Sequence, residues 1–173
     1  EGLGTDKITI QGKKFLRGTE HSVIADRIEA GTFVAAAAMT GGRITLKNCE
    51  SRHLQYLLEP MNKAGVDIMS AGADVIVHRT RERLRGFDIM TEPYPGFPTD
   101  LQAQMMSVLT VAEGAGMVTE TIFENRFMHV PELARMGADI TVHGSSALVR
   151  GVPKLKGAPV MATDLRASVS LIL

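Results

Sequence analysis

The chain has 173 residues, 45% hydrophobic and 22% charged, the balance of a soluble globular protein long enough for one real core. Lys plus Arg and Asp plus Glu both number 19, and this zero formal net charge argues against a broad basic surface for nucleic acid or an anionic membrane. A single cysteine, Cys49, excludes an internal disulfide, the polar Glu1–Asp6 opening has no signal-peptide character, and the longest apolar run, Phe33 to Met39, is too short for a bilayer; a soluble, cytoplasmic protein is expected.

Along the chain, a Leu-x-Gly punctuation at Leu16/Gly18 returns at Leu84/Gly86 and Leu155/Gly157. The spacing of about seventy residues suits a repeated compact α/β unit. In the first copy a helix opens at Arg27-Ile28-Glu29-Ala30, Ile44-Thr45-Leu46 reads as a strand, and Leu54, Leu57, Leu58 and Met61 form a second helical pattern around Pro60. Gly65-Val66-Asp67-Ile68 and Val75-Ile76-Val77 follow.

The second copy repeats that order. Asp100-Leu101-Gln102-Ala103 opens a helix through Met105, Val108, Leu109 and Ala112, which Gly114 stops. Met117 to Ile122 is short and β-branched, hence a strand. A helix from about Asn125 to Met136 ends at Gly137, a natural residue for a left-handed cap. Ile140-Thr141-Val142 and Ala147-Leu148-Val149 read as strands around a His143–Ser146 turn. Pro131 sits near the place of Pro60, and each proline either kinks its helix or starts a new one. The third copy has only its opening, Asp164-Leu165-Arg166-Ala167. The chain then stops inside the apolar run Ser170-Leu171-Ile172-Leu173, which reads as a truncation.

Four segments resemble the enolpyruvyl transferase family: Asp26 to Phe33 (DRIEAGTF), Pro93 to Asp100 (PYPGFPTD), Glu120 to His129 (ETIFENRFMH) and Ala162 to Ser168 (ATDLRAS). The resemblance covers nearly the whole chain. It implies an α/β fold of two similar domains, each built from three βαβαββ units around a pseudo-threefold axis. Residues 1–12 would be the exit from a missing first domain, and 13–173 most of the second, with units at about 13–80, 81–151 and an incomplete 152–173. It further implies transfer of enolpyruvate from phosphoenolpyruvate to the 3′-hydroxyl of UDP-N-acetylglucosamine with release of phosphate, a step toward peptidoglycan. No cofactor or metal is implied, and the chain alone is expected to be inactive. The Phe123–Phe127 segment favours this sugar-nucleotide branch over the shikimate-pathway branch, and a non-catalytic binding half is the reading from another class.

Such a reaction needs a carboxylate near the hydroxyl and cations at the phosphate groups. Asp100 follows Pro93, Pro95 and Pro98, so a stiff loop would deliver it to the first turn of a helix; read from the aspartate alone, a helix cap is the commoner role. By resemblance Asp100 is both catalytic and substrate-binding, Ile122 gives a main-chain contact to the nucleotide sugar, and Phe123 and Arg126 line the cleft. Taken without the resemblance, Ile122 is strand core and Arg126 a surface cation paired with Glu124. Asp164 and Arg166 repeat the Asp100 region and, by the same likeness, belong to the catalytic cleft. Cys49 reads as a structural thiol, the five histidines lack metal-ligand spacing, and the ten methionines read as core filler.

Overall fold

Asp26 starts the first helix. Its carboxylate accepts hydrogen bonds from the N–H groups of Ile28 and Glu29, and α1 runs Arg27–Thr40 until Gly41 closes it at φ 77°. The computed structural model describes residues 1–3 and 5–173. After α1 come β1 (Arg43–Leu46), a 3₁₀ turn (Ser51–Leu54), α2 (Gln55–Ala64), β2 (Val66–Ala71) and β3 (Asp74–Arg79). The strands form one antiparallel sheet in the order β1-β3-β2.

The second unit adds β4 (Ile89–Met90) ahead of its first helix. A 3₁₀ turn (Thr99–Leu101), α3 (Gln102–Thr110), β5 (Ala115–Thr119), α4 (Val130–Arg135), β6 (Asp139–His143) and β7 (Ser146–Arg150) complete it. The sheet order is β4-β5-β7-β6, with β4 parallel to β5 and the other pairs antiparallel. This is the expected βαβαββ unit. The first unit repeats it without a strand in the place of β4 among the described residues. The matched glycines agree closely, Gly65 at φ 95° and Gly137 at φ 96°, both in the left-handed region where glycine has no Cβ penalty. After β7 the described residues form one further element, α5 (Ala167–Ser170).

Three expectations of local structure need correction. The strand expected over 117–122 ends at Thr119, and the helix expected from Asn125 starts at Val130. Asn125 stands at φ 59°, which no right-handed helix continues, and Pro131 with its preset φ opens α4 instead. The methionines are divided: Met61, Met105 and Met106 are buried, whereas Met69, Met90, Met117, Met128 and Met161 are exposed. The two open prolines take different roles, because Pro60 lies inside α2 and Pro131 lies in the first turn of α4.

Every residue of α3 from Gln102 to Thr110 is buried, so this helix is the axle of the molecule. It packs against α1 on one side and α5 on the other, with β5 and β7 beneath. Leu101, Met105 and Leu109 join Val34, Leu57 and Val118 in one core. The Leu-x-Gly register has a physical cause only in the second copy. Leu84 is buried, and a Cβ on Gly86 would sit 2.1 Å from the Ala115 main-chain oxygen. Leu16 is exposed, and Gly18 and Gly157 have open space around them among the described residues. Gly86→Ala should therefore destabilise by about 1–3 kcal/mol, since a backbone oxygen cannot rotate away. Gly18→Ala and Gly157→Ala should change the denaturant midpoint little; equal losses at all three would remove this account.

Candidate functional site

Three separate segments bring charge to one place. Asp100 stands in the 3₁₀ turn that leads into α3, Arg126 in the loop between β5 and α4, and Asp164 just ahead of α5. Arg126 Nη1 donates to Asp100 Oδ1 at 2.9 Å and to the Thr99 hydroxyl at 2.9 Å, while its Nε lies 3.5 Å from Asp164 Oδ2. One guanidinium thus spans two carboxylates with two different nitrogens of its planar fork of donors, a fixed spacing that the single nitrogen of an ammonium does not offer. Arg166 Nε lies 3.8 Å from the other oxygen of Asp100, Oδ2. The Phe123 ring centroid lies 5.4 Å from the Arg126 guanidinium carbon, within cation–π reach.

The structure separates the two roles left open for Asp100. Among the described residues its side chain makes no capping bond to a main-chain N–H, so it is not a cap. Asp164 is a cap: its Oδ1 accepts from the N–H groups of Arg166 and Ala167 at 2.8 and 2.9 Å. Burial pushes the Asp164 pKa up, but those two N–H groups and the Arg126 guanidinium together hold it below the usual carboxylate value. Arg126 pairs with these aspartates and not with Glu124, and Ile122 is partly exposed beyond the strand end, so neither plain reading of those residues holds.

Asp100, Phe123, Arg126, Met128 and Asp164 line an open cleft of about 450 Å³. Ile122 is not among its lining residues, and its N–H is taken by Glu120 Oε1 at 2.8 Å. Glu120 and Thr99 were not singled out in the sequence. Gly116, Val118 and Glu120 share the inward face, but that burial belongs to the fold, and a glutamate after an alternating run does not announce it. Among the described residues no group of three or more His, Cys, Asp or Glu is placed to hold a metal ion. Cys49 is buried, and burial pushes its thiol pKa up, away from nucleophile behaviour.

Beneath the charged cluster lies His129, 2% exposed, with no partner for its Nε2 among the described residues. Burial pushes its pKa down from 6.5 to about 4; nearby Asp164 opposes the shift and Arg126 adds to it. Between those values the unfolded chain takes up a proton that the folded one refuses. Stability is then complete above pH 6.5 and falls as pH drops toward 4, by about 3 kcal/mol in all. Denaturant titrations across this range should show that slope, and His129→Phe should flatten it by close to one proton. A variant that keeps the parent slope would assign the proton uptake to other groups.

The βαβαββ unit is an α/β architecture in which charged residues from three separate segments meet near the starts of two helices. The chain belongs to the EPSP synthase (3-phosphoshikimate 1-carboxyvinyltransferase) family, whose model matches residues 1–173. Among curated relatives it is 62% identical over 173 residues to the UDP-N-acetylglucosamine 1-carboxyvinyltransferase of Granulibacter bethesdensis, covering 100% of this chain and 41% of that protein. The protein of the same name from Rhodospirillum centenum is 59% identical, with 100% of this chain and 40% of the relative covered. This chain therefore spans well under half the length of those relatives. Among solved structures, the enolpyruvyl transferase NikO from Streptomyces tendae aligns with TM-score 0.72 at 27% identity, over 87% of this chain and 36% of that one. An EPSP synthase from Acinetobacter baumannii aligns with TM-score 0.57 at 14% identity, over 80% and 34%, a likeness of fold alone. Among the described residues no helix is long and apolar enough to cross a membrane.

Proposed function

We propose that this chain is most of the second domain of an enzyme that transfers enolpyruvate from phosphoenolpyruvate to the 3′-hydroxyl of UDP-N-acetylglucosamine. Residues 1–12 leave the first domain in this reading, and that first domain supplies the other wall of the cleft. The observation that carries it is the Arg126 bridge between Asp100 and Asp164, in a chain whose 62%-identical relative bears that activity in its name. The location that fits such an enzyme is the cytoplasm.

Chemically, the sugar hydroxyl oxygen adds to the substituted carbon of the enol while a proton adds to its methylene carbon. Loss of a methyl proton with departure of phosphate then restores the double bond as an enol ether. Asp100 takes the hydroxyl proton in this scheme, and Arg126 holds its carboxylate at the cleft edge. Arg166 and Asp164 complete the charged frame, with Asp164 also fixing the start of α5. With the Ile122 N–H engaged by Glu120, its carbonyl is the main-chain group left for the nucleotide sugar. Phe123 lies against Arg126, and both line the cleft. The proton donor to the methylene carbon lies in the first domain, so closure of both halves completes the site.

The test is phosphate release by the full-length protein from phosphoenolpyruvate with UDP-N-acetylglucosamine, and separately with 3-phosphoshikimate. Turnover with the sugar nucleotide alone is expected, and none from the 173-residue chain by itself. Turnover only with 3-phosphoshikimate would move the protein to the other branch, and ligand binding without turnover would make it a binding protein.

A further inference from the structure

Glu120 is 3% exposed and lies at the end of β5, where its side chain gathers four hydrogen bonds. Oε1 accepts from the Thr91 hydroxyl at 2.8 Å and from the N–H groups of Ile122 and Phe123 at 2.8 and 3.1 Å. Oε2 accepts from the Thr99 hydroxyl at 2.8 Å. All four partners donate, so the side chain acts here only as an acceptor. Thr99 is then directional: its proton points to Glu120, and its oxygen accepts from Arg126 Nη1 at 2.9 Å. The same nitrogen donates to Asp100 Oδ1 at 2.9 Å.

We infer that Glu120 is a positioning residue, which through Thr99 sets the direction of the Arg126 guanidinium and so the aim of Asp100. Its other oxygen shapes the Ile122–Phe123 turn, whose aromatic ring backs the same guanidinium. The inference rests on the reading of Asp100 as the reacting carboxylate. Burying a carboxylate is costly unless every lone pair is used, and here the donors come from β4's end, the α3 entry and the β5 loop. A linked chain of this kind holds side-chain direction more tightly than isolated bonds do.

Glu120→Gln in the full-length protein separates this from a plain structural tie. Glutamine keeps the shape, and its amide oxygen can serve the Thr91, Ile122 and Phe123 donors. Its NH₂ then faces Thr99, whose oxygen receives two donors while its proton loses its acceptor. The link to Arg126 weakens there. Expected are a fall in kcat of roughly 10–100-fold, the size expected when a hydrogen bond to a charged group is weakened in the transition state, and a KM for the sugar nucleotide that changes little. The guanidinium N–H signals of Arg126 should move in the NMR spectrum. Thr99→Val breaks the same link, so the double variant should match the slower single one within about twofold. Wild-type kcat and Arg126 signals in Glu120→Gln overturn the inference, as does a double variant whose losses multiply. Should Glu120→Gln not fold, Thr99→Val alone decides by the same two readings. If the parent enzyme releases no phosphate, the proposed function fails while the Arg126 signals still decide the positioning role.

Discussion

Asp100→Asn in the full-length enzyme should lower turnover by roughly 10²–10⁴-fold, the loss typical of a positioned general base. That corresponds to about 3–5 kcal/mol of barrier. Asparagine keeps the size, and its carbonyl oxygen can still accept from Arg126, so the bridge survives in neutral form. It cannot take the hydroxyl proton at neutral pH. Stability should change by less than about 1 kcal/mol, because the side chain is partly exposed and carries no capping bond among the described residues. Sugar-nucleotide binding should persist within roughly tenfold, since one hydrogen bond is worth about 1 kcal/mol net. Rate, binding and melting temperature measured on one preparation separate chemistry from folding. Near-normal turnover with the other two unchanged would take Asp100 out of the mechanism.

The repeat was legible because its signals are local. Helical and alternating periodicities, and glycines such as Gly65 and Gly137 at matched left-handed positions, announce each element from within a few residues. The site was legible only in part. Asp100 announces itself through the prolines before it, yet its freedom from a capping duty depends on the 3₁₀ geometry of Thr99–Leu101. Arg126 has a local acidic neighbour in Glu124, but its partner Asp100 is 26 residues away. The β-branched run past Thr119 reads as continued strand, and what bends it out is Glu120, held by Thr91 and Thr99 at separations of 29 and 21 residues. Side-chain bonds across such distances leave no periodic trace in a sequence. His129 shows the same limit, since its burial and lowered pKa come from packing under the charged cluster.

Arg126→Lys should be the most informative change of charge-preserving kind. The arginine serves two carboxylates with different nitrogens, Nη1 toward Asp100 at 2.9 Å and Nε toward Asp164 at 3.5 Å. A lysine ammonium is a single point on a flexible stem and can serve one of them well. It also loses the guanidinium contact with the Phe123 ring and the bond to Thr99. Losing one hydrogen bond to a charged group costs about 1.5–3 kcal/mol. If that loss is felt in the transition state, kcat falls by roughly 10–100-fold. Asp164 keeps its two main-chain donors, so α5 stays capped and the damage should centre on Asp100. The variant should therefore fold, bind sugar nucleotide more weakly and turn over slowly, and adding Asp100→Asn to it should cost less than in the parent. Full turnover with lysine in place would mean that positive charge alone is needed, and the two-carboxylate bridge would have no catalytic purpose.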